Sequence, residues 1–242
     1  MAVEYLMDPS ELIIPTSLLE YSATFWPEHA VEAFNSDDPS ITSRLQGQID
    51  LLFSSDHTPR YIAWLKIYDP DVSYAFRKEP KRRYPQPLYY ASLLGLQMTV
   101  KNLLKKGYRI AMEESTYRNA LNAAAIYGNF EIVECLGKYH KDIGSIVNLP
   151  QIAEHIGRNA EKVFIQLLKA ESGVLISHNV VEAAAGNWDS GKEVMILLLE
   201  KRGADVVITE EVVKAAAGNS GSGEEVMIAA ASETRGRCNH RQ

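Results

Sequence analysis

Cysteine is scarce in this chain, which has two in 242 residues. That number is too small for the disulfide framework that stabilises small secreted domains. The first ten residues also lack the basic, then apolar, then small-residue order of a secretory signal. No apolar run reaches the roughly 18 residues that a membrane span requires. We therefore expect an intracellular chain that does not span a membrane.

An excess of positive charge is also missing, because the formal net charge is −6. This balance excludes a protein that mainly coats nucleic acid or an anionic membrane. The short cluster Lys78-Glu-Pro-Lys-Arg-Arg83 is interpreted as an exposed linker rather than a nuclear address. We predict a protein partner, no nucleic acid and no membrane, and a cytoplasmic rather than nuclear location.

What the chain does contain is internal repetition. Pro87-Leu-Tyr-Tyr-Ala-Ser-Leu-Leu-Gly95 aligns without gaps with Ala120-Leu-Asn-Ala-Ala-Ala-Ile-Tyr-Gly128, at an offset of 33 residues. Each glycine is expected to end a helix in the left-handed conformation, and an apolar stripe then predicts a second helix. The pattern therefore predicts helix pairs that stack, because one pair cannot bury its own apolar face.

The segment Gln86 to Ile110 resembles the ankyrin repeat, which has this 33-residue period. The resemblance implies an all-α fold, an ankyrin-type helical solenoid preceded by a small helical region. Tyr89 and Asn122 stand where the family usually has a histidine that hydrogen-bonds the neighbouring turn. That tie between repeats is therefore expected to be weakened or replaced.

A second pair of copies lies further along the chain. Val180-Val-Glu-Ala-Ala-Ala-Gly-Asn187 recurs 32 residues later as Val212-Val-Lys-Ala-Ala-Ala-Gly-Asn219. Thr209 precedes two glutamates and is expected to cap the helix that follows. We interpret these copies as degenerate ankyrin-like units, so that residues 84–231 would hold about four or five units in total.

Residues 1–83 form a different, helical region with a linker. Leu18-Leu-Glu-Tyr-Ser-Ala-Thr-Phe-Trp26 and Trp64-Leu-Lys-Ile-Tyr68 resemble the segment that joins a NACHT module to ankyrin repeats in fungal NOD-like receptors. This resemblance implies the sensor or regulatory part of such a receptor. The nucleotide-binding domain itself is not in the sequence, so the chain is expected to be a portion, a truncated paralogue or a stand-alone derivative.

Residues 232–242 are predicted to form an irregular tail. The leucines of Ile196-Leu-Leu-Leu199 become alanines in Ile228-Ala-Ala-Ala231. Codons permitted for Ala229 to Arg241, read one base later, can spell a string close to the earlier copy from Leu197 to Thr209, so a frameshift in the gene or the gene model would explain the change. A truncated gene remnant without function is therefore an alternative to an interaction module.

A nucleotide-binding alternative rests on Gly186-Asn-Trp-Asp-Ser-Gly-Lys192, which nearly matches the phosphate-binding P-loop. Glu193 stands where a serine or threonine must ligate magnesium, and the preceding residues look helical rather than extended. The later copy also has Glu224 in the place of Lys192. We interpret the segment as a loop between repeat helices and expect a non-enzymatic protein.

No catalytic residue, metal site or cofactor site is predicted. The six histidines are scattered, and a single histidine cannot by itself hold a metal. Asp69 and Asp71 have the spacing of the first two ligands of a calcium loop, but Tyr74 and Pro80 replace its glycine and distal glutamate.

Ankyrin stacks usually bind through turn tips and the first helices, and this resemblance marks seven partner-binding candidates. Aromatic and arginine side chains among them combine contact area with directional hydrogen bonds. The candidates are Tyr90, Leu93, Leu94, Tyr108, Arg109, Ile126 and Tyr127.

Overall fold

The computed structural model describes residues 16–34, 38–54, 58–72, 84–112, 115–140, 142–169 and 173–239, with side chains described as far as Ala231. All regular structure in these ranges is helical, which confirms the predicted all-α class. The helices are α1 Thr16–Ala33, α2 Pro39–Leu52, α3 Thr58–Ile67, α4 Pro87–Leu93, α5 Gln97–Lys105, α6 Ala120–Ile126, α7 Phe130–Tyr139, α8 Leu149–His155, α9 Ala160–Leu167, α10 His178–Gly186, α11 Gly191–Arg202, α12 Glu210–Gly218 and α13 Gly223–Asn239.

The chain forms two compact units, Met1–Ala120 and Leu121–Gln242. The division predicted at residues 83 and 84 remains a prediction, and the basic cluster Lys78–Arg83 lies outside the described residues. Helix α13 continues to Asn239, so residues 232–239 have a helical backbone where the sequence predicted an irregular tail. Within the described ranges, no helix is both long and apolar enough to cross a membrane.

The first unit is built around an aromatic cluster. Helices α1, α2 and α3 pack against one another, and α5 packs against both α2 and α4. The ring of Trp64 lies 5.5 Å from that of Trp26 and 6.1 Å from that of Tyr90, centroid to centroid. Trp64 also donates its indole N–H to the Ala23 carbonyl at 2.9 Å. Large rings at these spacings bury much apolar surface and interact edge to face.

The glycines predicted to end helices do so. Gly95 and Gly128 have φ values of 78° and 70°, in the left-handed region that closes a helix end. At Gly128 a methyl group would also lie 2.3 Å from the Arg158 carbonyl oxygen, so the close approach of the backbone requires glycine as well. The left-handed conformation is common to both positions and explains why glycine recurs at this place in the repeat.

The second unit contains two layers in which helices from α7 to α13 pack against their counterparts in neighbouring copies. The first layer has α10 between α8 and α12, and in the second layer α9 packs on α7 and α11, and α11 on α13. Thr209 accepts a hydrogen bond from the Val212 amide at the start of α12, as the sequence predicted. The layers bury small residues of the first helices, such as Ala184 and Ala216, which allow close helix contact.

A repeated set of amide hydrogen bonds ties two copies of the second unit to the copy before each of them. Asn187 donates its side-chain amide to the Ala153 and Ile156 carbonyls, both at 2.8 Å. Asn219, 32 residues later, donates to the Ala185 and Asn187 carbonyls at 3.0 and 2.7 Å. Buried amides of this kind satisfy carbonyls at the end of one helix that would otherwise lack partners.

Asn122 contributes another tie. Its side-chain oxygen accepts the Asn148 amide at 3.0 Å, across 26 residues. The residue that stands where the ankyrin resemblance would place a histidine therefore bonds the backbone of a neighbouring connection.

Candidate functional site

The seven residues predicted to bind a partner differ in their exposure. Those that are buried are Tyr90, Leu93 and Ile126. Those that are half-buried are Leu94, Tyr108 and Tyr127, and Arg109 is exposed and donates to the Tyr108 carbonyl at 2.9 Å. In this conformation, the buried members pack in the core and leave only the half-buried residues and Arg109 within reach of a partner.

Tyr90 and its neighbour Tyr89 belong to a buried polar cluster in the first unit. Tyr90 donates its hydroxyl to Asp69 at 2.7 Å, and Tyr89 donates its hydroxyl to Asp71. Burial, followed by the charge of the facing aspartate, raises the pKa of each tyrosine far above its usual value. Both phenols therefore remain neutral donors at physiological pH.

The same cluster shows the role of Asp69 and Asp71, whose spacing resembled that of a calcium loop. Asp71 accepts the Thr116 amide at 3.1 Å on its carboxylate, and its carbonyl accepts the Thr116 hydroxyl at 2.8 Å. The two carboxylates thus hold helix α4 and the turn near Thr116 to the segment that follows α3. Among the described residues, no three histidine, cysteine, aspartate or glutamate side chains are grouped as metal ligands would be.

In the loop that resembles a P-loop, backbone amides already donate hydrogen bonds within the protein. Helix α10 runs into Gly186, where the nucleotide-binding motif would need a strand. The amides of Asp189 and Ser190 both donate to the Asn187 side chain at 2.9 Å, and the Gly191 amide donates to the Asn187 carbonyl at 3.2 Å. A phosphate cradle needs such amides to point at the ligand. This geometry assigns the loop to the ties between repeats.

The feature best suited to binding in the second unit is a pair of apolar side chains on consecutive connections. Leu175 is 80% exposed and Val207 is 61% exposed, at positions 32 residues apart. The residue before each, Val174 or Val206, is buried. Each connection therefore anchors one side chain in the core and presents the next one to solvent.

These two connections are adjacent. Arg202, at the end of α11, donates its guanidinium to the Val174 carbonyl at 3.4 Å and to Asp205 at 2.7 Å. Further along the two connections, the Thr209 hydroxyl lies 3.5 Å from His178 Nδ1. The exposed apolar pair is consequently bordered by charged and polar groups, an arrangement found in the core and rim of protein interfaces.

The sequence carried a signal for this pair that the partner prediction did not use. Val174-Leu175 and Val206-Val207 occupy the same place in the 32-residue copies, ahead of the first helix of each. Two consecutive apolar residues in a short connection imply that one is anchored and the other is exposed. The exposed residues could have been identified from that register.

Comparison with known families gives two consecutive matches in the second unit. Residues 167–195 and 197–227 match a family model described as a domain of unknown function, DUF7104. Together the matches cover about a quarter of the chain, and each contains one first-layer helix, α10 or α12. The tandem matches agree with the 32-residue repetition, and the description states no activity.

A relative from Monascus ruber, the azaphilone pigments biosynthesis cluster protein L, is 30% identical over 131 residues. The match covers 49% of this chain and 26% of the relative, so the matched half of this chain corresponds to about a quarter of that protein's length. No solved structure matches the chain.

Proposed function

We propose that the second unit is an ankyrin-type helical solenoid and that the protein is a non-enzymatic protein–protein interaction module. Its binding surface would be the tip pair, defined as Leu175 and Val207 with the polar groups around them. The observation that carries the proposal is the recurrence of an exposed apolar side chain at the same place in two adjacent copies.

Physical reasons favour a protein partner for the tip pair. Single exposed apolar side chains are common on any surface, but neighbouring ones within a polar rim are typical of interaction sites. Arg202 and Asp205 pair at 2.7 Å beside the tips and supply directional groups for a partner's polar atoms. The buried anchors Val174 and Val206 fix the backbone, so that little ordering entropy would oppose binding.

The resemblance of the amino-terminal strings to NACHT–ankyrin junctions extends the proposal. In that setting the module would be the sensor or regulatory part of a NOD-like receptor-type protein in the cytoplasm. A NACHT domain encoded upstream in the same transcript would support this extension, and a transcript that lacks one would contradict it. The relative's name refers to a pigment biosynthesis cluster and states no activity that could be transferred.

The tip pair can be tested by charging it. We expect the double variant Leu175→Glu/Val207→Glu to lose the proteins that wild type captures from cells of its source, as measured by quantitative mass spectrometry. The fold should persist, because both side chains are exposed and surface substitutions usually change stability by about 0.5 kcal/mol or less.

The matched control charges two exposed apolar residues of the first unit, in Ile41→Glu/Met98→Glu. This control should retain the captured proteins. Equal loss from both double variants, or from neither, would contradict a binding role for the tip pair. Circular dichroism of all three proteins separates loss of binding from loss of structure.

A further inference from the structure

The outer surface of the second helix layer carries an isoleucine at the same place on two neighbouring helices. Ile165 of α9 is 40% exposed, and Ile196, 31 residues later on α11, is half-buried. Helix α9 packs between α7 and α11, and α11 packs between α9 and α13. Neither isoleucine is therefore exposed for want of a neighbouring copy, and both belong to a surface that the stack itself leaves open.

On α9, opposite charges lie on either side of the isoleucine. Glu161 stands four residues before Ile165 and Lys169 stands four residues after it, and both side chains are exposed. Residues four apart share one face of a helix, so Glu161 lies on the same side as Ile165. The pKa of Glu134 is lowered by its bond to Lys138 and, more weakly, by the charge of Lys169. Since Glu134 holds the place of Ile165 on α7, Lys169 also lies at the outer surface of the layer.

On α11 the order of the charges is reversed. Lys192 stands four residues before Ile196 and Glu200 stands four residues after it, and both are exposed. The two helices together present a chequerboard of four charges around two isoleucines. In the described part of the chain, none of these four charged side chains makes an ion pair. We call this surface the isoleucine face and define it by Ile165, Ile196, Glu161, Lys169, Lys192 and Glu200.

A chequerboard of charges is complementary to a rotated copy of itself. When a two-fold axis lies in the face, either along the helices or across them, each negative group meets a positive group of the second copy. Each isoleucine then meets an isoleucine. A closed dimer uses the same patch on both subunits and needs this kind of self-complementarity. The four charges sum to zero, so they do not favour a partner of one charge sign, such as a nucleic acid.

We propose that the isoleucine face joins two copies of this chain in a symmetric dimer. The isoleucines form its apolar centre and the four charges form its polar rim. Two helices from each copy offer a small contact area, which is typical of weak and reversible association. The face lies on the second helices of the repeat, whereas the tip pair lies on the connections. The inference therefore does not rest on the proposed function.

Two charge variants test the pairing without altering the apolar centre. Lys169→Glu/Lys192→Glu makes all four charges negative, and Glu161→Lys/Glu200→Lys makes all four positive. Sedimentation equilibrium of each full chain would be measured from about 1 to 300 µM. We expect wild type to dimerise in this range and each variant alone to associate at least tenfold more weakly, because like charges then face one another.

An equimolar mixture of the two variants gives the sharpest result. Every negative group of one chain then faces a positive group of the other in either orientation, so a mixed dimer should form at least as tightly as wild type. High salt should weaken it. The matched control Lys105→Glu/Lys106→Glu makes the same change in net charge as the negative variant, at exposed residues of the first unit. It should dimerise like wild type.

The apolar centre is tested separately by Ile165→Glu. This substitution places a carboxylate among the isoleucines and should weaken the dimer at least tenfold, while circular dichroism checks that the fold persists. The variant Leu175→Glu/Val207→Glu should dimerise like wild type, and a native copy captured from cells should stay bound to it. Failure of the proposal for one surface therefore leaves the proposal for the other interpretable.

Three results would overturn the proposal. A wild type that is monomeric at every concentration would leave the face to another protein or to another segment of the chain. A dimer that both charge variants retain would place the contact elsewhere. Loss of the dimer in both variants without recovery in their mixture would exclude pairing of the face with itself.

Discussion

The two units hold their helices together by different means. In the first unit, rings from three helices and the ring of Phe53, just after α2, meet once, around Trp64, in a cluster that has no second copy. In the second unit, the same contacts recur every 32 residues, through small side chains and the amides of Asn187 and Asn219. Stabilisation is thus concentrated in the first unit and distributed in the second.

This difference decides which side chains each unit buries and which it leaves at its surface. Tyr90 stands where the resemblance predicted a contact with a partner, but the first unit buries it in its core together with Tyr89. In the second unit, asparagine side chains and backbone groups make the ties between copies. These ties do not use the exposed side chains of Leu175 and Val207, which leaves both available to the proposed partner.

Trp64→Ala is expected to have the largest effect on stability and gives the strongest test of the difference between the two units. The ring is fully buried among four other aromatic rings and donates a hydrogen bond, so we expect a loss of about 3–5 kcal/mol in the free energy of unfolding. Denaturant titration followed by circular dichroism measures the loss. Hydrogen exchange then shows which amides have lost their protection.

The matched control is Trp188→Ala, which removes the same ring from an exposed loop of the second unit. It should cost about 0.5 kcal/mol or less. If Trp64→Ala also removed protection from α10 and α12 to the same extent as from α1, the two units would unfold as one. The contrast between concentrated and distributed stabilisation would then be wrong.

The next largest effect is expected from Asn187→Ala. The substitution removes two bonds to the preceding copy and two to its own loop, for which we expect a loss of about 2–3 kcal/mol. Asn187→Asp should be at least as destabilising, because a carboxylate would then face two carbonyl oxygens. Chemical denaturation measures both losses.

Asn179→Ala is the control for this tie, since Asn179 is exposed on α10, the helix that ends just before Asn187. It should change stability by about 0.5 kcal/mol or less. A small effect of Asn187→Ala would mean that side-chain packing, rather than the repeated amide bonds, joins the copies.

A smaller effect, specific to the first unit, should appear at alkaline pH. Burial and the facing aspartates raise the pKa of Tyr89 and Tyr90 above the unfolded value of about 10. The stability that the neutral phenols contribute is therefore complete below about pH 10 and is lost as pH rises further. Urea unfolding of wild type at pH 8 to 11 should show this fall.

Phenylalanine variants isolate the two hydroxyls. Tyr89→Phe and Tyr90→Phe should each cost about 1–3 kcal/mol at neutral pH, because each leaves a buried carboxylate with one donor fewer. Each should also make the alkaline fall less steep, whereas Tyr139→Phe, at an exposed tyrosine, should not. An unchanged slope in both core variants would show that other groups cause the alkaline loss.

The sequence predicted the structural features that recur in the repeats, but it did not predict the contacts that occur only once. The glycines that end helices and the 32-residue register predicted the helix pairs and the cap at Thr209. These features could be predicted because local backbone preference and periodic apolar positions specify them. The contact between Tyr90 and Asp69 joins residues 21 positions apart with no periodic signal. Tertiary packing decides whether such a tyrosine faces the core or a partner, and the resemblance to a family does not determine that packing.

The smallest expected effect concerns the loop that resembles a nucleotide-binding motif. Lys192 is exposed, and Lys192→Ala should change stability by about 0.5 kcal/mol or less. Calorimetric titration with Mg-ATP should show no saturable binding to either protein, because the loop amides already donate to Asn187. Binding by wild type that Lys192→Ala abolishes would contradict the assignment of this loop to repeat ties.

The later copy allows a sharper form of the same test. Glu224→Lys places a lysine after Gly223, so that the segment from Gly218 acquires the glycine–lysine spacing of a P-loop. Its amides, however, donate to the Asn219 side chain at 3.0 Å, as those of the earlier copy donate to Asn187. If spacing alone created a phosphate site, this variant would gain Mg-ATP binding. We expect no gain, because the same asparagine that joins the copies occupies the donors a phosphate would need.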